Sequence, residues 1–169
     1  MTKIVHVKNS LQDYTYTCTE RVGKNFDPEF QPQLTPAELL ALGIFGGAYF
    51  ADTGMDEFPK SWQKAAKISS TGKRDKSLNY FGVSASQSRA EWAKKGWLYA
   101  DDPLGWFQWY CRYYLGRRLE KEDARQIKRW KNIVRHAAQI RANCRPRDTA
   151  CRPVQRQALL HWAYDSRKL

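Results

Sequence analysis

Three sets of residues in this chain have types and spacing that could do chemistry. Between positions 112 and 156 stand fourteen Lys and Arg against four Asp and Glu, which is +10 of the chain's net +12. Residues 1–111 hold thirteen basic against twelve acidic residues, so a polyanion would meet one cationic face on a nearly neutral body. Eleven of the fourteen cations are Arg, whose planar fork grips a phosphate bidentately and stacks on bases. Arg112, Arg117, Arg118, Arg125, Lys128, Arg129, Lys131 and Arg135 are the candidate phosphate contacts. Tyr113 and Tyr114 stand beside them, and stacking an unpaired base on such a ring is worth about 1–3 kcal/mol. The expected partner is nucleic acid, DNA or RNA; an acidic protein is the alternative.

The second set is His136, Cys144, Cys151 and His161, residue types that ligate zinc. Their intervals of seven, six and nine residues lack the close ligand pair of most structural zinc sites. No cofactor is expected, zinc being the one these residue types would admit. The four cysteines are too few and scattered for a secreted disulfide scaffold, so reduced thiols or metal ligands are anticipated. The third set is Asp52, Asp56 and Glu57 in a glycine-rich, aromatic stretch, where a carboxylate held against rings could act as a general acid or base. An enzyme acting on nucleic acid, glycosylase- or nuclease-like, is therefore the alternative function. The phosphate-binding loop, the dinucleotide fingerprint, the serine elbow and the His-Glu-x-x-His pair are all missing.

The elements that must position these residues are mainly helical. Residues 1–22 alternate in the strand manner and turn near Asn9, predicting a hairpin. Residues 23–34 read as an extended connector. Thr35, Pro36 and Glu38 form a helix-start signal, with Leu39, Leu40 and Leu42 behind it. Gly43, Gly46, Gly47 and Gly54 then predict a bend where backbone approaches another segment or a ligand. A helix over about 58–68, a mobile polar loop over about 69–77, and a helix capped by Ser84 or Ser86 and ending near Lys95 follow. Asp101, Asp102 and Pro103 predict the start of the aromatic helix through Arg118. Positions 121–143 read as one long helix, apolar on one side and cationic on the other, and Pro153 opens the last.

The whole is expected to be a compact multi-helix domain, mainly α, with a small N-terminal β-hairpin. Residues 1–33 form the hairpin and connector, and 34–169 the helical domain with its basic C-terminal helices. With 42 % hydrophobic and 14 % aromatic residues in 169, the chain can build a core. It has no apolar run long enough to span a membrane and no signal-peptide core, so a soluble, intracellular protein, cytoplasmic or nuclear, is expected.

The stretches LNYFGVSAS, GWFQWYCRYYLGRR and CRPVQRQALLHWAYD, within residues 34–164, resemble an uncharacterised group of proteins. The resemblance implies that most of the chain is one unit and adds no activity. Gly43-Ile44-Phe45-Gly46-Gly47 is loosely similar to the hairpin of helix–hairpin–helix DNA glycosylases, with glycines three apart where that hairpin has Gly-x-Gly. Cys144 and Cys151 are similar to the first two cysteines of the iron–sulfur loop in some helical glycosylases, the other two ligands being absent. No catalytic aspartate or cluster is carried over from either.

Overall fold

The structure, a computed structural model, describes residues 2–86 and 89–169, with Arg89 as backbone alone. Strands β1 (Lys3–Lys8) and β2 (Asp13–Cys18) pair antiparallel, Val5 opposite Tyr16. The turn forms because the Asn9 side chain accepts the N–H groups of Leu11 and Gln12 at 2.9 and 3.1 Å. Alternation puts Val7, Tyr16 and Cys18 on the buried face, where they meet Leu115. Among the described residues seven α-helices follow: α1 (Pro36–Ala41), α2 (Lys60–Ala65), α3 (Arg89–Lys94), α4 (Trp106–Leu115), α5 (Glu120–Val134), α6 (Ala137–Asn143) and α7 (Pro153–His161). The fold is mainly α with an N-terminal hairpin, as the sequence predicts. Among the described residues no helix is long and apolar enough to cross a membrane.

α4 is the axis of the molecule. Its residues from Trp106 to Tyr113 are all buried, so it has no solvent side. The connector residue Phe30 lies against Trp109, Tyr110, Tyr113 and Trp130 at ring separations of 5.1–5.5 Å, which fastens the N-terminal segment to the helical body. α1 starts as anticipated: Thr35 Oγ1 accepts the Glu38 N–H and Glu38 accepts the Thr35 N–H.

Several expectations are corrected by longer-range contacts. The helix of α2 is only Lys60–Ala65, and Ile68 is exposed. The polar loop after it is tied down: Ser69 and Asp75 donate backbone hydrogen bonds to Gly47 and Gly46 at 2.9 and 3.0 Å. That loop is what the glycine-rich bend approaches. A Cβ on Gly46 or Gly47 would come within 2.6–2.8 Å of its backbone, and both residues have positive φ. Residues 84–86 are described and non-helical, so Ser84 does not cap α3, and residues 87–88 between Ser86 and the helix lie outside the described residues; Gly96 follows the helix with φ of 69° as expected.

α4 begins at Trp106 with Gly105 as its N-cap, as the aromatic stretch predicts, but ends at Leu115 with Gly116 in the left-handed region, short of Arg118; Asp102, ahead of it, is drawn inward as a counter-ion. The predicted 121–143 helix is two helices. At Arg135 and His136 the bonds tighten to the i→i−3 pattern, turning the chain so that Ala137 and Ile140 pack with Leu159 of α7. Cys144 and Cys151 are joined in a disulfide that closes the α6–α7 loop, in place of the expected thiols or ligands; Cys18 and Cys111 are free and buried.

Candidate functional site

The Arg-rich composition serves two purposes that charge counting cannot separate. Arg112 and Arg117 lie inside, between α4 and the hairpin. Arg112 donates to both oxygens of Glu57 at 3.0 and 3.1 Å, to Asp102 at 2.9 Å and to Gln12 at 2.7 Å. Arg117 forks onto the same Asp102 at 2.5 and 2.8 Å. Tyr14 and Tyr16 lie over both guanidiniums, and Tyr16 donates to Glu57 at 2.8 Å. Burial alone would lower the Arg112 pKa; the hydrogen bonds and charge of Glu57 more than offset it, and the net direction is up. Arg156 is likewise interior, donating to the carbonyls of Cys151, Ser166 and Leu169.

Of the ten residues expected at a nucleic-acid surface, Arg112, Arg117 and Tyr113 are therefore inside the protein. The Tyr113 hydroxyl accepts the Asp27 N–H at 2.8 Å and its ring carries Arg118 at 3.8 Å. Arg118 directs its donors to four backbone carbonyls, Arg125 is forked onto Glu122, and Tyr114 is half-buried. Lys131 is exposed and paired with Glu29 at 2.8 Å. Lys128 on α5 and Arg135 directly after it are exposed and form no ion pair among the described residues. Arg141, Arg145, Arg147 and Arg152 are also exposed, around the disulfide loop.

A cleft of about 430 Å³, of a size and apolar character suited to a small organic group, opens among α3, α4, α5 and α7. Its lining includes Trp92 of α3, Trp97, Trp106 and Phe107 of α4, Arg129 and Ile133 of α5, and Leu159 and His161 of α7. Phe45 and Tyr49 from the glycine-rich bend also line it. Phe45 adopts φ 54°, ψ 32°, a conformation that costs a non-glycine residue roughly 1–2 kcal/mol. That backbone stacks its ring on His161 at 4.2 Å and 18°.

Two guanidiniums frame the cleft. Arg129 lies over Trp97 and Trp162 at 5.7 and 5.3 Å and donates to the Trp97 carbonyl at 3.0 Å. Burial first and Arg125 second bring its pKa down to about 10, which leaves it charged at neutral pH. Arg74 lies over Phe45 and Trp92 and donates to Ser86. Among the described residues no Asp or Glu lines the cleft. Lys128 stands four before Asn132 on α5, and Arg135 follows that helix directly before His136, so both are exposed cations next to lining positions. Arg152 reaches the cleft through Gln155, whose Oε1 it contacts at 3.3 Å.

The remaining sequence candidates disperse. Glu57 is bound to Arg112, and Asp52 and Asp56 are exposed residues outside the cleft. Cys144 and Cys151 are consumed by their disulfide, while His136 and His161 belong to the cleft. Among the described residues no three His, Cys, Asp or Glu side chains are grouped to hold a metal ion. The cleft itself escapes sequence inspection: Trp92, Trp97 and Trp162 stand in no motif, and their only signal is an unusual number of tryptophans, seven in 169 residues. No family model, curated protein or solved structure matches the chain.

Proposed function

We propose that this protein binds single-stranded nucleic acid, holding a base in the aromatic cleft and neighbouring phosphates on the cations at its rim. The observation that carries this is the juxtaposition of a tryptophan-lined cleft, which has Arg129 and no Asp or Glu among its described lining residues, with the exposed Lys128 and Arg135 next to lining positions and Arg152 bonded to the lining residue Gln155. Aromatic faces hold bases of any sequence, and Arg and Lys follow the backbone. An unpaired strand suits the site better than a duplex, since a base must leave its stack to enter a cleft. The polyanion partner expected from the charge asymmetry is retained, with a smaller and differently placed set of contacts.

Fluorescence anisotropy of labelled single-stranded DNA and RNA with the wild type and a Lys128→Glu, Arg135→Glu variant tests this. Reversal of two rim charges far from the core is expected to weaken binding at least tenfold while the fold persists. Unchanged affinity would remove the rim from the interaction.

A further inference from the structure

A second cavity, of about 660 Å³, shares no described lining residue with the aromatic cleft. It opens between α6, the disulfide loop and residues 164–169, and these walls are tied to one another. Arg141 of α6 donates to the Tyr164 hydroxyl at 2.7 Å, and the Arg147 N–H donates to the Leu169 carbonyl at 2.8 Å. Gln33 of the connector accepts the Asp165 N–H at 2.7 Å, and the disulfide fixes Cys144, a lining residue, to Cys151. Walls held this way lose little freedom when a ligand binds. Three cations line the cavity, Arg141, Arg145 and Lys168, and all three are exposed. Nearby surface cations are answered by acids, Arg125 by Glu122 and Lys131 by Glu29. Here, among the described residues, Arg141 bonds a neutral hydroxyl and the Arg145 side chain has no partner. Asp165, the one carboxylate side chain among the described lining residues, is already forked by Arg167 at 2.8 and 3.0 Å, and Lys168 comes no closer to it than 3.7 Å. The Leu169 oxygen is taken by Arg147 and by Arg156. The cavity thus keeps uncompensated positive charge, and a concave wall of one sign concentrates anions.

We infer that this cavity is a second binding site, which takes the phosphate group of an anionic ligand on Arg141, Arg145 and Lys168. The guanidiniums supply forked donors and the ammonium a point charge. A phosphate offers more acceptor oxygens than a carboxylate, which suits three cations carried by three different wall segments. The group has two sources, the backbone of a strand seated in the aromatic cleft or a separate phosphorylated small molecule. The chemistry recognised is the same for both, and the inference does not depend on base binding.

Calorimetric titration with pyrophosphate, which carries no base, tests the site. The wild type should bind it with an affinity that falls as salt rises. An Arg141→Gln, Arg145→Gln variant should bind at least about tenfold more weakly, and Lys168→Gln alone about threefold, with near-ultraviolet circular dichroism verifying both folds. Lys128→Glu with Arg135→Glu should leave pyrophosphate affinity within about twofold at 0.15 M salt, where separated surface charges are screened. No pyrophosphate binding to the wild type, or equal affinity in the Arg141, Arg145 variant, would overturn the inference. The same variant identifies the source of the phosphate. Weaker binding of a labelled single strand would place the strand's backbone in the cavity, whereas unchanged strand binding beside lost pyrophosphate binding would assign a separate phosphorylated molecule. Pyrophosphate binding without strand binding would remove the proposed function and keep this site. Strand binding without pyrophosphate binding would do the reverse.

Discussion

His161 illustrates how one residue type supports opposite expectations. In sequence it is a metal-ligand candidate; in the fold it is a neutral ring stacked on Phe45, and the candidate co-ligands Cys144 and Cys151 are taken up by their disulfide. Its pKa falls from 6.5 to about 3, so the unfolded chain takes up a proton below about pH 6.5 that the folded protein refuses until about pH 3. This contribution is fully present above pH 6.5 and is lost as the pH falls through that window. It amounts to about 2 kcal/mol between pH 8 and pH 5. Urea unfolding of wild type and His161→Phe at the two pH values measures it: the wild type should lose about that much more stability than the variant. Equal losses would mean that the imidazole is not held neutral. Arg112 teaches a related lesson. It sits in an aromatic run that a helix can only bury, yet its partners Glu57 and Asp102 are fixed by tertiary contacts that no local pattern reveals.

At the scale of elements, local signals were legible and compensated ones were not. The Thr35 capping box, the Asn9 turn, Pro153 at the start of α7 and the hairpin alternation all depend on neighbours a few residues away, and each is present. The break at Arg135 and His136 has no glycine or proline to announce it, and the inward pull of Arg112 and Arg117 on Asp102 has no local signal either. The cysteines were misjudged because spacing alone does not tell a short disulfide loop from two thiols. Thiol titration distinguishes the four: none should react in the native protein, two (Cys18 and Cys111) on denaturation without reductant, and all four after reduction. Four reactive thiols in the unreduced denatured protein would contradict the pairing. Cys151→Ser should cost about 2 kcal/mol of unfolding free energy, the chain-entropy value for so short a loop.

For the molecule as a whole, the +10 concentrated in residues 112–156 divides into an interior share that holds α4 to the hairpin and the chain end to α7, and an exterior share beside an aromatic cleft. Composition exposes the sum and conceals the division, because an Arg paired with a distant acid counts as much as one facing solvent. The cleft was equally hidden: its walls come from five helical or turn segments spread over more than a hundred residues. The central claim is that the exterior share meets phosphates while the cleft holds a base, and its most direct test is the salt dependence of single-strand binding. Three phosphate contacts on a single strand give a log–log slope of about −2, or roughly a 20-fold loss of affinity between about 50 and 200 mM salt. Anisotropy titrations of single-stranded and duplex probes across that range should show this loss, with the single strand bound more tightly. Failure to bind any single strand at low salt, or affinity indifferent to salt, would contradict the account.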